Sequence, residues 1–207
     1  KLFVFHQWFA LKYFKDLIKV GLPIGAQAIV MFGFLSMASV MIAYEGVISL
    51  AAHQVGANVV MLSFLFIHGL TIGTVIRTGN LIGENRHNQL YKVAFAAILG
   101  SLIALVLAAI AFIFAREEIA SFYSSDPQVV SIVENLLLIS LLIKLAEDPG
   151  TAVAAVIEGC KDTQMIFYCR LIGVWGVAFP LANLLLSSLG LYGFWIGICV
   201  GQMFATL

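Results

Sequence analysis

Three ionisable residues, Lys144, Glu147 and Asp148, lie in the middle of an otherwise apolar segment that runs from Leu136 to Gly159. If the segment crosses a bilayer, each charge near the hydrocarbon centre costs roughly 2.5–3.5 kcal/mol on insertion scales, so such residues normally face a bundle interior or an aqueous cavity. Lys144 can neutralise only one of the two acids, and we expect the other to be protonated or to hold a cation. The alternative is a local ion cluster on one helical face that binds no ligand.

Glu147 is the leading candidate for an ion-coupling residue, and Asp148 is the second. The residues that follow them, Pro149 and Gly150, predict a break in the helix, because proline has no N–H and crowds the carbonyl of Leu145. A carbonyl released from its helical hydrogen bond, next to a carboxylate, is the arrangement in which interrupted membrane helices bind small cations. The pattern therefore predicts a site for H⁺ or Na⁺ at Glu147.

The composition is that of a membrane protein, since 62% of the 207 residues are hydrophobic and 11% are charged, against about 25% charged in soluble domains. Nothing in the sequence supports nucleic-acid binding. Enzyme motifs such as HExxH, GxSxG and a phosphate-binding glycine loop are absent, so we do not expect an enzyme. Apart from a coupling ion we expect no metal or other cofactor, because Cys160, Cys169 and Cys199 have neither disulfide nor metal-ligand spacing.

The hydropathy pattern predicts an all-α bundle of six membrane spans. An interfacial linker segment at 1–19 leads into a six-span lobe at 20–207, with spans at about 20–44, 50–76, 93–115, 129–159, 171–189 and 193–207. The last span has about 22 Å of helix for a hydrocarbon core of about 30 Å, so we expect it to be truncated and the chain to be part of a longer protein.

Basic residues predict the orientation of these spans. With the amino end in the cytoplasm, nine of the eleven lysines and arginines fall on the cytoplasmic side, while Lys144 lies within a span and only Arg116 falls outside. The nine are Lys1, Lys12, Lys15, Lys19, Arg77, Arg86, Lys92, Lys161 and Arg170. This asymmetry places both ends of the lobe in the cytoplasm.

Polar side chains in two other spans are candidates for lining a cavity: Gln27 in the first, and Gln54 and Asn58 in the second. Gln54 and Asn58 lie one turn apart on one face, where they either hydrogen-bond to neighbouring helices or line a polar cavity. His53, near the end of its span, is expected to contact lipid headgroups.

The last two spans contain residues that shape helices. Pro180 predicts a kink in the fifth span. In the sixth span, Gly193, Gly197 and Gly201 form a face of small residues that allows another helix to approach closely.

Five short motifs follow one another along the chain. They are GLPIG at 21–25, AAHQV at 51–55, IRTGN at 76–80 with LIG after it, FY at 122–123 with Asp126 and Pro127, and GCKDT at 159–163. In order and spacing they resemble the carboxy-terminal six-helix lobe of the multidrug and toxic compound extrusion (MATE) family, over nearly the whole chain.

The resemblance implies twelve spans in two six-helix lobes that face a central cleft, in the plasma membrane, by analogy the bacterial inner membrane. It implies export of small organic cations or drugs in exchange for Na⁺ or H⁺, with the amino-terminal lobe and the lipid bilayer as partners. Glu147 stands where bacterial members carry an acidic cation-coupling residue in the tenth helix. Arg77 and Asp162 would help to hold the cytoplasmic loops rather than contact drug.

Two positions depart from the family pattern. Some Na⁺-coupled members carry a second acid in the first span of this lobe, where this chain has Met31 and where Gln27 is the only polar side chain nearby. The arginine expected before the turn at 159–162 is Glu158. The first departure weakens the expectation of Na⁺ coupling and leaves proton coupling open.

Two other functions remain open. The chain could belong to a lipid-linked saccharide flippase of the same wider superfamily, which would be expected to line its cleft with more cationic residues than the lone Lys144. It could also be a membrane scaffold that pairs through its glycine face, in which case neutralising Glu147 would have little effect.

Overall fold

The computed structural model describes residues 11–206, and over this range the chain forms helices and short turns without a strand. The elements are α1 (Leu11–Ala43), α2 (Val47–Gly83), a 3₁₀ turn (His87–Gln89), α3 (Leu90–Phe114), α4 (Arg116–Tyr123), α5 (Pro127–Gly159), α6 (Thr163–Leu171), a π-helical segment (Ile172–Ala178) and α7 (Phe179–Thr206). Of the linker predicted at 1–19, residues 1–10 lie outside the described range, and residues 11–19 form the first turns of α1.

Five helical stretches are long and apolar enough to cross a membrane, and the last of them, Thr163–Ala205, has 43 residues. A straight helix of that length would measure about 65 Å, twice the hydrocarbon thickness. This stretch is interrupted at Gly190, whose φ of 60° and ψ of −147° are outside the helical region and accessible to glycine. The protein is therefore an all-α, multi-pass membrane bundle with six crossings, as the sequence predicts.

Glycines hold the two halves of α7 together after the turn at Gly190. A Cβ at Gly197 would overlap the backbone of Ala182, and one at Gly201 would overlap Ala178. Close approach of a helix to the glycine face is thus confirmed, and the approaching helix is the preceding part of the same chain. The glycine face is occupied within the lobe.

Helix α5 is the centre of the bundle and packs most extensively against α2, α3 and α7. It begins with an N-cap: the Asp126 carboxylate accepts a hydrogen bond from the Gln128 N–H at 2.9 Å, and Pro127 occupies the first helical position. Its 33 residues extend about 50 Å, longer than the hydrocarbon core. The position of a residue along this helix therefore sets its depth in the membrane and the side of the helix on which it lies.

The predicted break at Pro149 and Gly150 does not interrupt α5, which is continuous from Pro127 to Gly159. Proline removes one hydrogen bond, to the carbonyl of Leu145, but extensive packing on both sides holds the rest of a long membrane helix in place. At Pro180, where the other kink is predicted, the helix widens into the π-helical segment just before the proline. Backbone angles outside the helical region come at Gly190, and the kink at Pro180 stays a prediction.

The helices are longer than the spans expected from hydropathy. Helix α2 continues to Gly83 rather than ending near residue 76, and α1 begins before residue 20. Hydropathy marks the part of a helix in hydrocarbon, whereas backbone hydrogen bonding continues through the headgroup region into water. Arg77 is consequently a helical residue, and the connection between α2 and α3 is confined to residues 84–89.

The close packing of α7 gives a test of the fold. We expect Gly201→Leu to lower the free energy of unfolding of the purified protein by at least about 1–3 kcal/mol, because the added side chain has to displace the backbone at Ala178. Thermal unfolding in detergent measures the effect. Gly25→Leu is the matched control, since a Cβ at Gly25 meets no atom within 4 Å. Equal melting temperatures for the two variants would contradict the observed packing.

Candidate functional site

Lys144 forms an ion pair with Asp148 and not with Glu147. The Lys144 Nζ lies 3.0 Å from Asp148 Oδ2, while its hydrogen bond is directed to Oδ1 at 3.4 Å. The side chains are 3% and 1% exposed, so the pair is withdrawn from water. Pairing removes the cost of two isolated buried charges, and it leaves Glu147 without a partner from its own helix.

Asp148 points towards α2. It lies eleven residues, about three turns, before Gly159, so the two share one face of α5. Gly159 in turn packs against Thr78 of α2, closely enough that a Cβ at Gly159 would come within 2.5 Å of the Thr78 Cβ. Asp148 therefore belongs to the packed interior of the bundle, and its part in ion coupling stays a prediction.

Glu147, about 100° further round α5, faces a cavity of 440 Å³. The cavity lies between α1, α5, α6 and the last turns of α7, with α3 contributing Ile98. Glu147 is half-buried and is the only carboxylate among the described residues that line it. The polar residues sharing its wall are Gln27, Thr151, Arg170 and Gln202.

The α1 wall of the cavity carries the residues that the sequence singles out near the first span. Gln27 is 5% exposed and donates a hydrogen bond to the Thr163 carbonyl at 3.4 Å, which ties α1 to the start of α6. Met31 lines the cavity one turn further along α1. The position at which a second acid is expected in Na⁺-coupled members thus faces the same space as Glu147, and here it is apolar.

Arg170 brings a positive charge to the cavity from α6. Its field acts on Glu147 and on Glu158, which lies near the same guanidinium. Of the ion pairs within the described part of the chain, none includes Glu147 or Arg170. A carboxylate and a guanidinium therefore share one cavity without closing it by direct contact.

The two other predicted cavity residues lie elsewhere, nearer the opposite end of α2. Gln54 donates a hydrogen bond to Ser39 Oγ at 3.0 Å, and Asn58 Oδ1 accepts one from the Tyr123 hydroxyl at 2.9 Å. Both side chains are exposed, and neither lines the cavity at Glu147. They bond to neighbouring helices, one of the two outcomes that their spacing allows.

His53 does not contact lipid headgroups as expected, because it is only 3% exposed. Its Nδ1 accepts a hydrogen bond from Trp195 Nε1 at 3.3 Å, and its ring meets Phe194 edge to face. No local pattern indicates the indole partner, which is 142 residues away along the chain. The interaction joins α2 to the second half of α7.

The two residues assigned to the cytoplasmic loops have no described side-chain hydrogen bond that supports this role. Arg77 is exposed on α2, and Asp162 precedes α6 without capping it through its side chain. The assignment stays a prediction.

The π-helical segment is part of the site, although the hydropathy pattern does not predict it. Val174 lines the cavity, and Trp175 donates a hydrogen bond from Nε1 to the Val30 carbonyl at 3.1 Å. The segment ends just before Pro180, which has no N–H and would crowd a regular helix at the carbonyl of Gly176. That proline was the available signal, because a widened turn lets the helix pass it.

Comparison with known proteins gives the family. The MatE family profile matches residues 23–184, which include α5, the Glu147 cavity wall on α1, and the whole of α6 and of the π-helical segment. The chain belongs to the MatE family.

Relatives of this MatE chain have been named as multidrug resistance proteins. This chain is 30% identical over 201 residues to the multidrug resistance protein MdtK of Photorhabdus laumondii, in an alignment that covers 94% of this chain and 43% of that protein. It is 29% identical over 199 residues to the probable multidrug resistance protein NorM of Shewanella oneidensis, covering 93% of this chain and 43% of that protein. The chain therefore spans less than half the length of these relatives.

Solved MATE structures share the fold. A mutant form of the Vibrio cholerae MATE transporter VcmN superposes with a TM-score of 0.89 at 16% identity, over 99% of this chain and 47% of that one. A MATE structure in a bent conformation gives 0.85 at 21% identity, over 94% of this chain and 44% of that one. The predicted fold class is confirmed, and the MatE proteins are transporters rather than enzymes, as the sequence predicted.

The buried ion pair gives a test of the assignment within α5. We expect Asp148→Leu and Lys144→Met each to destabilise the purified protein by about 3–5 kcal/mol, because each leaves one buried charge without its partner. The double variant should recover most of that loss, since it leaves no charge behind. Unfolding in detergent, analysed as a double-mutant cycle, measures the coupling. Additive effects of the two single variants would contradict the pairing.

Proposed function

We propose that the chain is the carboxy-terminal lobe of a multidrug efflux antiporter that exports organic cations in exchange for an inward-moving ion, with Glu147 as the ion-coupling residue. The observation that carries the proposal is that Glu147 faces a 440 Å³ cavity while its neighbour Asp148 takes the only lysine in the helix. The multidrug resistance names of the relatives support the substrate class. Transport by this mechanism would also need the other lobe, to form the second wall of the cleft.

The proposed mechanism uses one carboxylate in two states. With an ion bound, Glu147 is neutral, so it costs little free energy in the low dielectric of the membrane. Without an ion, the charged carboxylate attracts a cation into the cavity. Because an organic cation and the coupling ion are attracted by the same charge, binding of one disfavours binding of the other. This competition is the physical basis of exchange.

Between the two coupling ions, the residues of the cavity favour H⁺. Hard cations are held by several oxygen ligands, and Glu147 is the only carboxylate in the described cavity wall. Met31 stands where a second acid would help, and the Arg170 guanidinium repels a metal ion in the same space. A proton needs only Glu147 itself. Na⁺ remains the second candidate, with Gln27 and Thr151 as possible oxygen ligands.

The cavity extends towards one end of the lobe. Its wall runs from Glu147 along α5 to Ile157, and across to Met165 near the start of α6. That end carries the connection at residues 160–162 and most of the basic residues, so we place it at the cytoplasmic face of a plasma membrane, in bacteria the inner membrane. In this arrangement the ion at Glu147 exchanges with the cytoplasm.

Neither alternative function is favoured by the contacts. A scaffold that pairs through Gly193, Gly197 and Gly201 would need a face that α7 covers itself. A flippase for anionic saccharide lipids would need a cationic cleft, whereas Lys144 is buried and Arg170 is the one basic residue in the described cavity wall.

The coupling role has a direct test in the full-length protein, reconstituted into vesicles with a fluorescent organic cation as substrate. Glu147→Gln should abolish exchange without loss of folded protein, because an amide cannot take up or release a proton. Glu134→Gln is the matched control on the same helix: it lies outside the cavity, and its partly exposed pair with Arg116, at 3.5 Å, contributes little to stability. Exchange retained by Glu147→Gln, or lost equally in both variants, would refute the role of Glu147.

The identity of the ion has a separate test in the same vesicles. We expect an imposed pH gradient to drive organic-cation transport in buffers that contain no Na⁺, and an imposed Na⁺ gradient at equal pH on both sides to drive little. Movement of the same fluorescent organic cation measures transport under each gradient. Transport driven by the Na⁺ gradient alone would overturn the proton assignment while leaving Glu147 as the coupling residue.

A further inference from the structure

A second cavity of 560 Å³ lies between α2 and α3. One wall consists of Gly69, Gly73 and Arg77, each four residues after the last and therefore on one face of α2. The opposite wall, on α3, includes Lys92 and Ala96. It is an open groove and shares no residue with the cavity at Glu147.

The charges of this groove are concentrated at one end. Arg77 and Lys92 are exposed, and no ion pair of either is found in the described part of the chain. The nearest acid along the chain, Glu84, pairs instead with Arg86, at 3.0 Å. The only described contact of the Lys92 ammonium is with the neighbouring Tyr91 ring, at 5.9 Å. Two positive charges therefore face one space without an anion.

The depth of the groove matches an amphipathic ligand. Arg77 is six residues, about 9 Å, from the end of a 37-residue helix that is about 55 Å long, so it lies near the level of the lipid headgroups. Gly69 lies about 12 Å deeper along the same face. A Cβ at Gly69 or at Gly73 would meet no atom within 4 Å, which leaves an open apolar channel below the charges.

The groove opens to lipid rather than to the interior of the protein. Beyond Lys92, most of the exposed side chains of α3 are large and apolar, and the stretch that contains α3 is the most apolar of the described spans. Phe95, Leu99 and Leu102 belong to this exposed surface, next to the groove. A helix that is apolar on its exposed faces is in contact with acyl chains.

We propose that the groove between α2 and α3 binds an acidic phospholipid, with its phosphate between Arg77 and Lys92 and one acyl chain along Gly73 and Gly69. A phosphate supplies the anion that the two cations lack, and arginine is suited to bind it through two parallel hydrogen bonds. The chain fills the channel in which the glycines have no side chains. This site is independent of the proposed antiport.

The full-length protein, purified in detergent, provides the test. It is incubated with equal amounts of phosphatidylglycerol and phosphatidylcholine of the same chain length, and retained lipid is counted by native mass spectrometry. We expect the wild type to retain phosphatidylglycerol in preference. Since one basic residue near an acidic headgroup contributes roughly a fivefold change in affinity, Arg77→Gln and Lys92→Gln should each weaken retention about fivefold, and the double variant about 25-fold.

Two further variants separate this site from general attraction. Lys19→Gln removes an exposed lysine at the same end of the bundle but on α1, and it should retain phosphatidylglycerol like the wild type. Gly73→Leu keeps both charges and fills the channel, so it should weaken retention of the two-chain lipid. Because the added side chain enters open space, it should not lower the melting temperature.

Three results would overturn the proposal. The first is equal retention of the two lipids by the wild type, which would indicate that the rest of the protein covers the groove. The second is a loss in Lys19→Gln as large as that in Arg77→Gln. The third is displacement of bound phosphatidylglycerol by glycerol 1-phosphate as effectively as by a second acidic phospholipid. That result would identify a site for free phosphate.

Discussion

The organisation of the site depends on how one helix handles three charges in a medium of low dielectric. A buried charge without a partner is far more costly than a buried pair, and Lys144 can pair with one acid only. In α5 it pairs with Asp148, one turn away, and both are almost inaccessible. Glu147 is left as the charge that must find water or an ion. Because α5 is continuous, successive residues point about 100° apart, so satisfying Asp148 on the α2 side turns Glu147 towards the cavity.

Tight helix packing elsewhere in the bundle confines the cavity to the region around Glu147. Gly159 brings α5 against α2, and Gly197 and Gly201 bring the halves of α7 together, so these contacts leave no room for water. Between α1, α5 and α6 a cavity remains, next to the π-helical segment that replaces a regular turn. An open space forms where the close contacts stop. The glycine contacts that stabilise the lobe therefore also limit where a cavity can form.

Features governed by local chemistry could be predicted from the sequence, and features that depend on distant partners could not. The six crossings, the cap at Asp126 and the glycine face follow from residue type and spacing within a few turns. Lys144 is three residues from one acid and four from the other, so spacing alone did not choose its partner. His53 is buried by an indole far away in the chain. The effect of Pro149 was overestimated because local propensity ignores the packing around α5.

The two cavities have a common electrostatic setting at the end of the bundle where α2 meets α3. Exposed basic residues, among them Lys19, Arg86 and Lys161, surround that end, and a positive surface repels the organic cations that the proposed antiporter would have to admit. An acidic lipid held at Arg77 and Lys92 would offset part of this charge, and the acidic leaflet around it would concentrate cations near the mouth of the Glu147 cavity. Basic residues at this end would then not exclude the substrates of the proposed antiporter, because lipid phosphates would pair with them. The predicted orientation, the proposed lipid site and access to Glu147 would share one distribution of charge.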